Sequence, residues 1–232
     1  AVQDFGEVRA YVKASGLSGS SARRHGLRRI FLRIQPPRLR EYQNLNWLHA
    51  RLFQVPRTIA AGVLWRVGLP RHQALVTEWL PEHPTLDDFW RFTDDEQRGA
   101  VFDELAREVA RMHALRFLHR DLFARNLLVG PDTGRRRVVF LDTWAGGPDP
   151  SFRGPAYDLA CLFLDGPWLE PEWLQRFVDA YVRGRAVQER PVERAGLLRA
   201  VEMQRTRLRA RLVREPERLH GAELPRATLL DR

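Results

Sequence analysis

The chain has one cysteine, Cys161, among 232 residues. No intrachain disulfide can form, and the usage fits a reducing compartment. Lysine is equally scarce: of the 38 basic residues only Lys13 is a lysine, and the rest are arginines. No apolar run is long enough to span a bilayer, and no secretory signal is visible. The seven histidines are scattered. No metal cluster of His and Cys stands out. No internal repeat or low-complexity tract stands out. The first residue is Ala1 and not Met, so a few leading residues are expected to be missing.

Apolar residues make up 44% of the chain, enough for a proper core. The formal net charge is +9. Such basicity favours anionic partners: nucleotide, phosphorylated sugar, acidic lipid or nucleic acid. A G+C-rich genome writing Arg for Lys explains the arginine bias but not the net charge.

The most informative stretch runs from Phe117 to Asp142. His119-Arg120-Asp121-Leu122 is followed by Asn126, five residues past the aspartate. This matches the kinase catalytic-loop pattern H-R-D-L-x-x-x-N. A turn-rich segment, Gly130-Pro131-Asp132-Thr133-Gly134, lies between two apolar runs and predicts a hairpin. The second run, Val138 to Leu141, ends on Asp142. The stretch resembles the protein-kinase-like superfamily. By that resemblance Asp121 orients the attacking hydroxyl, while Asn126 and Asp142 hold Mg²⁺ through hard oxygen ligands.

Upstream, residues 8 to 34 read as strands around a Ser-rich turn. Gly16 and Gly19 are candidates for the glycine loop over the ATP phosphates. Ile30-Phe31-Leu32-Arg33 reads as a strand, placing Arg33 where kinases carry their phosphate-binding lysine. Pro36-Pro37 ends it, and Leu39, Tyr42, Leu45, Leu48 and Leu52 recur at helical spacing. Glu41 is the only carboxylate between Glu7 and Glu78, so it is expected to pair with Arg33. Lys13 is the rival for the phosphate role. Its simpler reading is an exposed lysine at a strand end. Thr58 to Val67 and Gln73 to Trp79 read as two more strands. The segment Glu78-Trp79-Leu80-Pro81 is the expected hinge, with Glu78 and Leu80 beside adenine. Capping signals at Thr85 and at Thr93-x-x-Glu96 open two helices. The second carries Phe102, Leu105, Val109 and Met112 on one face.

No A-P-E follows Asp142, and the link to Asp158 is short. By analogy Asp158 accepts hydrogen bonds from the catalytic-loop backbone. The order Leu39-Arg40-Glu41-Tyr42, Val55-Pro56, Val76-Thr77-Glu78, Thr85-Leu86-Asp87-Asp88-Phe89, Met112-His113-Ala114, catalytic loop, Phe140-Leu141-Asp142 and Tyr157-Asp158-Leu159-Ala160 resembles the bacterial lipopolysaccharide kinases of heptose and Kdo type. Two departures are Arg33 for lysine and a degenerate glycine loop. The resemblance implies an α+β, two-lobed fold, with a small β-rich lobe over 1–80 and a mainly helical lobe over 81–232. It also implies ATP, Mg²⁺, a sugar or glycolipid acceptor, and a cytoplasmic location at the inner face of the membrane.

The tail reads as helical. Trp173, Phe177 and Tyr181 recur at i, i+4, i+8. Leu197, Val201, Leu208 and Leu212 form a stripe flanked by Arg205, Arg207, Arg209, Arg211 and Arg214. Such a helix either packs on the larger lobe or lies on anionic membrane. Nucleic acid is not expected, because no stacking aromatics are interleaved there. Three functions stay in play: a sugar or glycolipid kinase, a kinase of another acceptor such as an antibiotic, a metabolite or a protein, and a pseudokinase that binds nucleotide and signals.

Overall fold

The computed structural model describes residues 1–5, 8–131, 137–148, 154–164 and 167–214. The fold is mixed α/β, with seven α-helices and small sheets among the described residues. The chain divides into two compact units. One comprises Ala1–His83 with Val139–Ala145, the other Pro84–Val138 with Gly146–Arg232.

The first unit is built on a four-stranded antiparallel sheet. Strands β1 (Val2–Phe5) and β2 (Val8–Gly16) form a hairpin. Helices α1 (Gly19–Leu32) and α2 (Pro37–His49) follow, then β3 (Thr58–Arg66) and β4 (Leu69–Glu78). The sheet order is β1-β2-β4-β3. Lys13 lies opposite Leu75 in the β2–β4 register. α2 starts with Pro37 in its first turn, where a missing N–H costs nothing. Glu41, Asn44, Leu45 and Leu48 form its buried face. Leu52, expected on that face, lies past the helix at φ 61° and is exposed.

The segment 19–32 corrects the expectation of a strand through Ile30. Three apolar residues in a row fit either period, and length decides. Here Ala, Leu and five arginines over 22–33 are all good helix formers. Two of the fourteen helical residues, Ala22 and Gly26, are buried. Arg33 ends the helix in the left-handed region at φ 54°, its N–H bonded to the Arg28 and Arg29 carbonyls.

In the second unit α3 (Leu86–Phe92) and α4 (Asp95–Ala114) come first. Thr85 caps α3 by accepting from the Asp88 N–H. Asp94, not Thr93, caps α4, accepting from the Gln97 N–H at 2.8 Å. Phe102, Leu105, Val109 and Met112 are fully buried. After β5 (Phe117–Leu118), β6 (Leu127–Val129) leads into the expected hairpin. There the Gly130 N–H donates to the Arg137 carbonyl at 2.7 Å. The predicted turn residues Asp132 to Gly134 lie outside the described residues. The chain crosses into the first unit within β7 (Val138–Phe140) and returns before β8 (Gly147–Pro148), which pairs with β5. Helices α5 (Gly154–Leu162), α6 (Pro171–Val187) and α7 (Arg194–Arg214) complete the unit.

Aromatic rings fill this core. Trp90 meets Trp173 at 4.8 Å, Phe102 at 5.2 Å and Trp168 at 5.5 Å between centroids. Trp168 is fully buried and donates its indole N–H to the Leu162 carbonyl. α7 packs on α5, and Val201, Leu208 and Leu212 are buried. Arg205, expected on the solvent face of that stripe, is fully buried instead. It donates to the Phe163 carbonyl and to Glu202, and burial pushes its pKa down to about 10. The α7 stripe is therefore covered by protein. The side chain of Arg214 lies outside the described residues.

Phe102→Ala is expected to remove about 3–5 kcal/mol of stability, read from the denaturant midpoint. Phe31→Ala, at a position 75% exposed, should shift it by about 0.5 kcal/mol or less.

Candidate active site

In the first unit four charged side chains meet. The Lys13 ammonium donates to Glu41 Oε1 at 2.7 Å and to Asp142 Oδ1 at 2.9 Å. Arg38 Nη1 donates to Glu41 Oε2 at 2.6 Å and lies 3.6 Å from Asp142 Oδ1. The Glu41 side chain is 1% exposed, so both of its oxygens need these cations. Burial lowers the pKa of Lys13, but the carboxylates of Glu41 and Asp142 more than offset this. The net shift is upward, and Lys13 is a cation at any physiological pH.

Neighbouring elements hold this arrangement. Asn44 stands one turn past Arg40 and Glu41 on α2. Asn44 Nδ2 donates to the Thr143 carbonyl at 2.7 Å, and Arg40 reaches the Ala145 carbonyl at 3.4 Å. They fix the segment just after Asp142, which sits at φ 55°. β7 is tied to the same unit by the Phe140 N–H to the Gln54 carbonyl, at 3.0 Å. Gln73 joins α2 to the sheet: it accepts from the Arg38 N–H and donates to Ser15 Oγ.

The second unit contains the H-R-D loop. Asn126 Nδ2 donates to the Asp121 carbonyl at 2.8 Å and to its Oδ2 at 3.1 Å. Arg125 stands 3.4 Å from Asp121 Oδ1 and lies over the Phe123 ring at 4.1 Å. The Asp121 side chain is 20% exposed, so its carboxylate is both held and reachable. Leu122, Ala124 and Leu127 anchor the loop in the core.

Asp158 on α5 supports this loop from within. Its carboxylate accepts the backbone N–H groups of His119 and Arg120, both at 2.7 Å. Arg120 has φ 62°, a conformation that costs free energy without such partners. His113 Nε2 lies 3.2 Å from Asp158, and His113 Nδ1 lies 2.9 Å from the Tyr181 hydroxyl. Arg185 donates to that hydroxyl in turn. Burial pushes the Tyr181 phenol up to about 12, so it remains protonated. Cys161 is fully buried, and burial, then Asp158 and Asp121, push its thiol well above the usual range. It is not a nucleophile.

Several site expectations need correction. Arg33 does not meet Glu41. It is an exposed helix C-cap, and Lys13 and Arg38 take both Glu41 oxygens. The reason is the extra strand β1: Val8–Gly16 is the second strand, not the first, and it carries the lysine. For the same reason Gly16 and Gly19 do not lie between the first two strands. Gly16 ends β2 opposite His72, and Gly19 opens α1 at φ 52°. Gly6 and Glu7, between β1 and β2 in the chain, lie outside the described residues. Glu78 ends β4, and its carboxylate accepts the Arg57 N–H at 2.8 Å. Leu80, just past it, is half-buried, and Trp79 stacks on Tyr11 at 6.0 Å.

Sequence reasoning gave no role to Arg38 or Gly146, and it noted His113 and Tyr181 without linking them to Asp158. Arg38 was detectable as a cation three residues before the lone carboxylate. Gly146 gave no such signal. A Cβ there would fall 2.2 Å from the Leu118 carbonyl oxygen and 2.6 Å from that of His119. The Asp142 carboxylate in the first unit and the Asn126 amide oxygen in the second are each hard oxygens of the kind magnesium takes, and Asn126 uses only its Nδ2 toward Asp121. No group of three or more His, Cys, Asp or Glu able to hold a metal occurs among the described residues.

The second unit thus holds an H-R-D loop braced by a buried aspartate, and the first a lysine that contacts a glutamate and an aspartate, the residue types a kinase-type phosphotransferase uses. Residues 27–145, just over half of the chain, match the lipopolysaccharide kinase (Kdo/WaaP) family, and the chain belongs to that family. It is a kinase of the lipopolysaccharide class. No curated protein matches it significantly. A solved structure described as WaaP in complex with acyl carrier protein has a similar fold. It is 23% identical, with a TM-score of 0.60 over 87% of this chain and 80% of that one. No helix among the described residues is long and apolar enough to cross a membrane.

Gly146→Ala is expected to displace the Leu118–His119 backbone and cut turnover by about 10²-fold. Steady-state phosphotransfer by the variant checks this.

Proposed function

We propose that this kinase transfers the terminal phosphoryl group of ATP to a sugar hydroxyl of the lipopolysaccharide inner core, or of a related glycolipid. The observation that carries the reading is Lys13, held between Glu41 and Asp142. The case for a pseudokinase leaned on arginine standing where a lysine is needed, and Lys13 removes that ground. The two units are read as the small and large lobes of a kinase, and the work is placed at the inner face of the cytoplasmic membrane.

The roles follow from the side chains. Asp121 orients the acceptor hydroxyl and takes its proton, kept in position by Asn126 and Arg125. The acceptor oxygen forms the new P–O bond, the bond to the leaving ADP breaks, and the freed proton passes to solvent through Asp121. Lys13 gives its positive charge to the ATP phosphates, and Glu41 keeps the ammonium pointed. Glu41 stays charge-balanced during that exchange because Arg38 grips its other oxygen. Asn126 and Asp142 are the candidate magnesium ligands, and Glu78 to Leu80 the candidate adenine-facing backbone. Bound magnesium neutralises the charge that develops on the transferred group.

With labelled ATP and lipopolysaccharide core as acceptor, Asp121→Asn should lose about 10²–10⁴-fold in turnover. Near-normal turnover would remove the assignment. Lys13→Met should be inactive and Arg33→Ala close to wild type. The reverse result would return the phosphate role to Arg33. Calorimetry on Asp142→Ala should show ATP affinity weakened in the presence of Mg²⁺ and little changed without it.

A further inference from the structure

The basic apolar helix of this protein is α1. The α7 stripe is covered by protein, whereas α1 buries two small residues one turn apart, Ala22 and Gly26. Gly26 lets the helix lie close to the β3–β4 hairpin: a Cβ there would meet Leu69 at 2.9 Å and the Gly68 carbonyl at 3.6 Å. The large apolar residues of α1 are left outside. Leu27 is 54% exposed, Ile30 67%, Phe31 75% and Leu32 63%. A lone exposed leucine means nothing, but four large apolar residues within six positions form a patch. The hairpin tip beside Gly26 adds Val67, 91% exposed.

The charge on this element has one sign. α1 carries Arg23, Arg24, Arg28 and Arg29 and no acidic residue. Arg29 is used internally, over the Trp65 ring at 4.2 Å. The other three are exposed and interleaved with the apolar positions: Arg23 and Leu27 are one turn apart, as are Arg24 and Arg28, and Leu27 and Phe31. A second copy of the same face would be repelled. Guanidinium groups on long stems beside Leu and Phe suit a boundary with phosphates at one level and acyl chains just below.

We propose that α1 docks the protein on an anionic lipid surface. Arg23, Arg24 and Arg28 meet lipid phosphates, while Leu27, Ile30 and Phe31 enter the acyl boundary. This deepens the glycolipid-kinase reading, on which the biological purpose of the surface rests, since a lipid-linked acceptor resides in such a surface.

The 232-residue chain is spun down with vesicles of phosphatidylglycerol and phosphatidylethanolamine, or with neutral phosphatidylcholine. Wild type should pellet with the anionic vesicles only. Arg23→Gln with Arg28→Gln should weaken binding about 30-fold, ~1 kcal/mol per arginine. Leu27→Ser with Phe31→Ser should weaken it by about tenfold or more. Because these side chains are exposed, thermal unfolding should be unchanged. Arg199→Gln with Arg207→Gln, an equal loss of charge from exposed positions on α7, should change binding less than about threefold. The proposal is overturned by equal weakening from the α7 pair, by unchanged binding of the Leu27/Phe31 variant, or by no binding to anionic vesicles. Binding to polyglutamate without vesicle binding overturns it in favour of an acidic protein partner. ATP binding by the α1 variants is measured in parallel and should match wild type. A docking failure with intact ATP binding is thus distinct from failure of the kinase reading, which is decided by Asp121→Asn.

Discussion

Glu41 brings a carboxylate into a place with almost no water. A buried charge of that kind costs several kcal/mol unless its partners replace the lost hydration. Lys13 supplies one oxygen with a partner and Arg38 the other. Through Lys13 the requirement ties three separate pieces of chain together: β2, the first turns of α2, and Asp142 just past β7. Asn44, Arg40 and Gln73 reinforce the same junctions through backbone groups. The result is a cation and a carboxylate presented together, Lys13 and Asp142, each with part of its surface open to solvent.

The second unit solves a similar problem with the signs arranged differently. Asp158 is fully buried and is satisfied by two backbone N–H groups and a histidine. Those bonds hold Arg120 in a left-handed conformation that the loop needs. They also set where Asp121 begins. Gly146 sits so close beneath Leu118 and His119 that no side chain fits. In both units a buried carboxylate thus shapes the backbone or the cation beside a more exposed aspartate.

Much of the second unit was legible in the sequence. The H-R-D-L-x-x-x-N spacing is a local property, and its residues sit within one loop. The face of Phe102, Leu105, Val109 and Met112 follows from the helical period, and all four are buried. Asp158 was identified by its place in the Tyr-Asp-Leu-Ala segment and has the expected bonds. The first unit was read less well. A run such as Ile30-Phe31-Leu32 has no period of its own, and taking it for a strand paired Glu41 with Arg33 in place of Lys13 and Arg38. Counting strands from Val8 also left β1 out.

Local chemistry, then, was set by the sequence alone: which carboxylate and amide belong to the H-R-D loop, which helical faces are apolar, and that the isolated Glu41 needs a cation as partner. Tertiary structure decided which cation Glu41 would receive. Lys13 is 28 residues from Glu41, and Asp142 is 129 residues from Lys13, so no local period connects them. It also decided that α7 would hide its stripe while α1 would not. Periodicity tells that a helix has an apolar face, but what covers that face depends on elements far away in the chain. For α7 it was α5, and for α1 only a narrow strip against β4 was available.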